Sequence, residues 1–211
     1  MAASFPLNRV ETALRHITSD LAALGRRWAL VGGLAVSTRA EARFTRDADL
    51  AVLVGGDEDA ESLVRDLQAR GHRVVAAIEQ QPTGRLATVR LVPLGQGDDE
   101  TVVDLLFASS GIEPEIVAAA ESLQVAEGLR TPVARTGHLI ALKVLSRDDR
   151  TRPQDRSDLV ALLSYANEPA RREAQNALRL IGERGFARGR DLLADFATLI
   201  AEHDSPQGSG A

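Results

Sequence analysis

Asp47 and Asp49 stand one residue apart at the head of an apolar run, Leu50 to Val54. On a strand, that spacing sends both carboxylates to the same face. Two carboxylates held side by side repel each other unless a cation lies between them. Hard oxygen ligands beside phosphate suit Mg²⁺. About a dozen residues earlier, Gly32-Gly33 closes another apolar run, Trp28 to Val31. Glycines let a backbone come close to a ligand, and a helix read from Leu34 to about Arg43 would offer its first N–H groups to a phosphate. Strand, glycine turn, helix, strand: the set reads as a site for a nucleoside triphosphate and its metal ions.

Other residues could join it. Asp104 lies in TVVDLLFAS, between Val102, Val103, Leu105 and Leu106. A carboxylate in such a run is costly unless it is paired or metal-bound. It is read as a third metal-site carboxylate, against a structural alternative in which it caps a turn or pairs with an arginine. Lys143 is the one lysine among 25 Lys plus Arg. A chain that uses arginine everywhere else and keeps one ammonium has a use for a compact point charge, and such a charge suits phosphate. Asp155 and Asp158 are three apart and share the first-turn face of a later helix, where N-capping and dipole pairing are the structural alternatives. Arg43 and Arg46 flank Asp47 and could contact phosphate or brace the loop.

Gly-Gly, the gap, and Asp-x-Asp at a strand start resemble the signature of the polymerase-β-like nucleotidyltransferases. The wider string LVGGLAVSTRAEARFTRDADLAV is more similar still to the AbiEii/AbiGii-type toxin nucleotidyltransferases, which include the MenT toxins. A second stretch, ALKVLSRDDRTRPQDRSDLVALL, resembles that family's second motif: a Lys on one helix, an Arg-rich loop, then Asp-x-x-Asp-Leu opening the next. The match falls on Lys143, Asp155 and Asp158. The resemblance implies that Lys143 faces the triphosphate and that an acidic residue of the second motif, Asp158 before Asp155, supports the site. It implies a third Asp on a later, adjacent strand, a place Asp104 fits. It also implies tRNA as acceptor, with nucleotides added to the 3′ end so that charging and translation stop, and a cognate antitoxin as partner. Two alternatives remain. A small-molecule nucleotidyltransferase of the aminoglycoside-modifying kind shares Gly-Gly and Asp-x-Asp, and the second motif argues against it. A non-catalytic binding or antitoxin-type module is opposed by the intact set of three carboxylates.

The elements that must position these residues follow from periodicity and punctuation. Val10, Leu14, Ile17, Leu21 and Leu24 have helical spacing, so a first amphipathic helix is expected; a lone His16 within it reads as structural. After Gly55-Gly56, Asp57 is expected to cap a helix to about Arg70. His72–Ile78 and Leu86–Leu94 read as strands around a turn at Pro82-Thr83-Gly84, with an exposed turn over Gly95–Glu100. A short helix over Glu113–Ala120, a small hairpin around Glu127-Gly128, and helices over Gly137–Arg147, from Asp155, over Glu168–Gly182 and over Asp191–His203 complete the chain.

The expected architecture is α/β. A polymerase-β-like nucleotidyltransferase domain, a mixed sheet flanked by helices, spans 1–133. A helical C-terminal domain, 134–204, closes the cleft and brings Lys143 over it, and 205–211 form a disordered tail. The expected reaction moves a nucleoside monophosphate from an NTP to an acceptor hydroxyl and releases pyrophosphate. Two Mg²⁺ ions would be held by Asp47, Asp49 and Asp104, and the triphosphate by Gly32, Gly33, Arg46 and Lys143.

Composition sets bounds around this reading. With 211 residues and 44% of them hydrophobic, the chain can bury a real core in one domain or two small ones. No apolar run approaches the roughly 20 residues that span a bilayer, and MAASFPLNRV lacks the pattern of a signal peptide. The absence of cysteine excludes disulfides and thiolate metal sites and fits a cytoplasmic protein. A net charge of −5 excludes whole-surface attraction to nucleic acid. Six arginines between Arg171 and Arg190 form a local positive excess that could meet a phosphate backbone or simply be a solvated helix surface.

Overall fold

A computed structural model describes residues 7–41, 45–80, 84–94, 101–148 and 153–205. Arg43, the turn residues Pro82 and Thr83, the turn over 95–100, much of the charged loop before Asp155 and the tail beyond Ser205 lie outside the described residues. The chain divides into two compact units, Met1–Arg135 and Thr136–Ala211.

The first unit contains α1 (Leu7–Ala23), β1 (Trp28–Val31), α2 (Gly32–Arg39), β2 (Asp47–Val52), α3 (Asp57–Ala69), β3 (Arg73–Glu79), β4 (Leu86–Val92), β5 (Val102–Leu106), α4 (Glu113–Ala119), β6 (Glu121–Ala126) and β7 (Leu129–Val133). Among the described residues its strands form one seven-stranded mixed sheet in the order β3-β4-β5-β2-β1-β7-β6. β2 runs antiparallel to β1 and parallel to β5; β4 runs antiparallel to β5. The expected hairpin around Glu127-Gly128 is present as the antiparallel pair β6–β7.

Burial explains the layering. Val10, Ala13, Leu14, Ile17 and Leu21 line one stripe of α1 and are buried; the helix packs on β2 and β5. The buried strand residues Ala48, Leu50, Val52, Val103 and Leu105 complete that core. Burial of one such Leu or Val contributes about 1.5–3 kcal/mol. His16 hydrogen-bonds the Leu94 carbonyl at 2.7 Å, a structural contact.

Two local expectations are corrected. The helix after the glycines starts at Gly32 itself, not at Leu34, so the glycines open the helix where a separate turn was expected. Asp57 does not cap α3: Gly56 occupies the cap position with no side-chain cap bond. Asp59, one turn in, instead accepts the Gly55 amide at 2.9 Å and pairs with Arg26. Those two bonds, the Gly55 amide first, hold the Asp59 carboxyl below its ordinary pKa.

The second unit is helical: α5 (Thr136–Ser146), α6 (Pro153–Tyr165), α7 (Glu168–Glu183) and α8 (Leu192–Asp204). α5 is apolar almost all round, with Leu139, Ile140, Ala141, Val144 and Leu145 buried, as expected of a helix packed on every side. Its neighbours are α6, α7 and α8. Asn167 and Asp191 cap α7 and α8, accepting the Ala170 and Ala194 amides at 3.0 Å. α6 begins two residues before Asp155, with Pro153 at its first position, where proline loses no helical bond.

Candidate functional site

The geometry of the first unit gathers the carboxylates through strand register. Val31 is the Cα partner of Asp49 across β1–β2, Asp49 of Asp104 across β2–β5, and Asp104 of Arg90 across β5–β4. Register partners share a face, so Val31, Asp49, Asp104 and Arg90 form one row across four neighbouring strands. Asp47 lies on the same face, two residues from Asp49 along β2. β1 ends at this row, and the chain turns directly into α2. The helix therefore begins level with Asp49.

Gly32 makes that junction possible. Its φ is +64°, the left-handed region that glycine enters without strain. A Cβ at Gly32 would also overlap the Asp49 carboxylate. The cap position, Val31, supplies no side-chain bond to α2, and the first amides of a helix have no partner within it. The first turn of α2, including Gly33, is thus a donor-rich backbone surface beside a carboxylate. At its other end, Arg39 donates to the Val133 and Ala134 carbonyls and pairs with Glu121 at 2.7 Å, tying α2 to the β6–β7 side of the sheet.

The row's acids differ in surroundings. Asp47 is partly exposed, and its Oδ1 accepts from the Thr45 hydroxyl at 3.0 Å. Asp49 is also partly exposed, and Arg46, just before β2, is exposed. Asp104 is buried, and both its oxygens accept from Arg90, at 2.8 Å from Nε and 2.7 Å from Nη2. These hydrogen bonds, then the Asp104 charge, raise the Arg90 guanidinium above its ordinary pKa against the opposing effect of burial; Asp47 and Asp49 add to the rise. Asp104 thus takes its place on the shared face, but in the arginine-paired form that the sequence left as the alternative. Arg90 itself was not among the sequence candidates.

Asp47 and Asp49 fit a hard divalent cation chemically: two carboxylates on one face, with no side chain at Gly32 to crowd Asp49. Asp104, forked by Arg90, does not complete a cluster. Among the described residues, no group of three or more His, Cys, Asp or Glu converges as a metal site.

The second motif comes together within the second unit. The Lys143 ammonium lies 2.7 Å from Asp155 Oδ1 and 2.7 Å from Asp158 Oδ2. Ser146 adds a bond to Asp155 Oδ2 at 3.0 Å. All three charged groups are buried, Asp155 and Asp158 almost completely. Asp155 and Asp158 therefore present one face, as their spacing predicts, and that face meets α5.

The arginines of the C-terminal helices are mostly compensated. Arg171 pairs with Asp204, Arg172 with Glu168, Arg179 with Glu183 and Arg190 with Asp195. Arg190 also donates to the Val144, Leu145 and Arg147 carbonyls and so closes the C-terminal end of α5. These partners favour the solvated, structural reading of the cluster over the phosphate-binding one.

Gly32 yields a direct test. Gly32→Ala is expected to destabilise the chain by more than about 1 kcal/mol through its positive φ, and to displace the Asp49 carboxylate as well. Gly25 has a similar φ of +65° but open space around it. Gly25→Ala is therefore expected to lower Tm without lowering the turnover of the folded enzyme, whereas Gly32→Ala lowers both. Thermal melts read beside pyrophosphate release separate the two effects.

The family model for the nucleotidyl transferase AbiEii toxin of type IV toxin–antitoxin systems matches residues 13–206. No curated protein matches the chain by sequence. Among solved structures, an antigenic nucleotidyltransferase-like protein from Paracoccidioides brasiliensis aligns with TM-score 0.50 at 16% identity, covering 90% of this chain and 93% of that one. The antibiotic-resistance factor ANT(2'')-Ia aligns with TM-score 0.47 at 18% identity, covering 94% and 96%. The lincosamide antibiotic adenylyltransferase LnuA aligns with TM-score 0.47 at 12% identity, covering 74% and 98%. The family match spans nearly the whole chain and takes in both the Asp-x-Asp strand and the Lys143 motif. The chain belongs to the AbiEii family of toxin nucleotidyltransferases and is a nucleotidyltransferase.

Proposed function

We propose that this nucleotidyltransferase transfers a nucleoside monophosphate from an NTP to the 3′ end of tRNA, depends on Mg²⁺, and acts in the cytoplasm as a toxin restrained by a cognate antitoxin. The observation that carries the catalytic part is the row of Asp49, Asp104 and Arg90, with Asp47 on the same face, beside the glycine-led start of α2. The tRNA acceptor and the antitoxin rest on the resemblance to the MenT toxins and are supported by membership of the toxin family. Among the described residues, no helix is long and apolar enough to cross a membrane.

In this reading the acceptor hydroxyl attacks the α-phosphorus of the NTP. A new P–O bond forms, the hydroxyl gives up its proton to solvent, the bond to the β-phosphate bridging oxygen breaks, and pyrophosphate leaves. Mg²⁺, when bound, would polarise the phosphate oxygens and neutralise charge that builds on the leaving group. Asp47 and Asp49 would hold the cation, and Asp104 is proposed as the third carboxylate beside them. Gly32 and Gly33 place the first amides of α2 against the phosphates, where fixed donors stabilise developing negative charge. Arg46 is proposed to contact phosphate from its exposed position before β2. Lys143 is proposed as the second motif's cation toward the triphosphate, with Asp155 and Asp158 holding it and Asp158 counted as part of the site.

Incubating the purified chain with each α-labelled NTP, Mg²⁺ and total tRNA tests the reading. The expected result is label on the tRNA 3′ end, lost with EDTA and lost after periodate oxidation of the terminal ribose. Label on an added aminoglycoside with none on tRNA would establish the small-molecule alternative. No transfer to any acceptor by folded protein would leave the binding-module alternative.

A further inference from the structure

The Arg90–Asp104 fork has a consequence for metal uptake, which rests on the metal-dependent reading above. Asp104 is the buried carboxylate of the row, and a buried carboxylate must be neutralised by something. Arg90 does this with two charge-assisted bonds of 2.7 and 2.8 Å. The two side chains are not equally fixed: the Arg90 side chain is 45% exposed and that of Asp104 only 12%. A long, half-exposed arginine can leave a carboxylate that stays in place. Asp47 and Asp49 share the face with Asp104 and are partly exposed. The face therefore already carries an internal cation, on its buried carboxylate.

We propose that Arg90 is a resident counter-cation of this carboxylate row, which competes with divalent cation for Asp104 and so holds down metal affinity until Arg90 is drawn away. A charged fork and a divalent cation cannot both take the same two oxygens. Each therefore weakens the other's hold by the same factor, as linkage requires. The natural destination of the displaced guanidinium is an anionic phosphate group, which matches its planar fork. Nucleotide is then the ligand that both draws off Arg90 and frees Asp104.

Mn²⁺ titration of the full chain without nucleotide, followed by electron paramagnetic resonance and calorimetry, tests this directly. Arg90→Gln keeps an amide donor for Asp104 and removes the charge. It is expected to bind Mn²⁺ about ten- to a hundredfold more tightly than wild type, and to gain more in Tm from saturating Mg²⁺. Arg90→Lys, which keeps the charge but loses the fork, is expected to fall between them, and it keeps the test alive if Arg90→Gln folds poorly. In an Asp104→Asn background, the gain from Arg90→Gln should vanish, because the contested ligand is gone. Equal or weaker binding by both Arg90 variants overturns the proposal. Loss of binding in Asp47→Asn/Asp49→Asn, with no Arg90 effect, upholds the metal site while rejecting the competition. Absence of Mn²⁺ binding in every form, wild type included, rejects both.

Discussion

Asp49→Asn is expected to lower nucleotidyl transfer by about 10³-fold or more while leaving the melting temperature unchanged or slightly higher. The asparagine fills the same space against Gly32, where no Cβ is tolerated, so the junction of β1 and α2 keeps its shape. What is lost is one negative charge from a face that carries Asp47, Asp49 and Asp104. That loss relieves like-charge repulsion in the free protein and removes a ligand for the cation. A metal ligand supports several kcal/mol of transition-state charge stabilisation, and each 1.36 kcal/mol is tenfold in rate. Asp47→Asn should behave alike, since its amide oxygen can still accept from Thr45. Pyrophosphate release measured beside a thermal melt gives both quantities. A folded variant lacking both carboxylates that still transfers label would sink the site. Asp104→Asn carries a different signature. It strands the Arg90 fork, so activity should fall with a modest cost in stability, about 1 kcal/mol given how exposed Arg90 is.

These contrasts show what the sequence could carry. Gly32-Gly33 and Asp47-Ala48-Asp49 were legible because glycine freedom and the two-residue strand repeat are local properties. Asp104 was legible as an anomaly, since a carboxylate among Val102, Val103, Leu105 and Leu106 demands a partner wherever the strand lies. Its partner was not legible, because Arg90 meets it only through the register of β4 against β5. The signal was nonetheless present. Arg90 is the one charged residue in LATVRLV, and Arg90 and Asp104 each lie seven residues from position 97, within the turn expected over Gly95–Glu100. Counting outward from that turn would have paired them. The start of α2 was misjudged for the opposite reason. Two glycines argue for a turn by propensity, but here the first supplies the positive φ that lets β1 pass straight into the helix. Lys143 stood out by its uniqueness, and the common face of Asp155 and Asp158 by spacing. That this face turns inward onto Lys143 depends on how α6 packs on α5, a tertiary choice that no local pattern encodes.

The buried trio changes what Lys143 variants should do. Lys143→Met leaves Asp155 and Asp158 buried and without their ammonium. Removing one member of a buried ion pair costs about 3–5 kcal/mol, because the remaining charge is uncompensated. For a chain of this size that is a fall in Tm of roughly 6–20 °C. A loss of activity in that variant would therefore be ambiguous by itself, and Lys143→Ala has the same fault. The neutral set Lys143→Met/Asp155→Asn/Asp158→Asn removes the ambiguity. It takes away all three charges, keeps side-chain volume and leaves amides to hydrogen-bond Ser146. Replacing a buried ionic cluster by well-packed apolar groups of similar volume is often close to neutral for stability; the two amides keep polar atoms buried, so part of the lost Tm is expected to return. If the Lys143 motif, ammonium and Asp158 together, serves the triphosphate, transfer by this restored fold should still lie about 10²- to 10³-fold below wild type, the usual cost of one electrostatic contact to developing charge. KM for NTP should rise with it, which a purely structural role would not produce. Recovery of full transfer together with the melting temperature would assign Lys143 to the packing of α5 against α6 and leave catalysis to the carboxylate row.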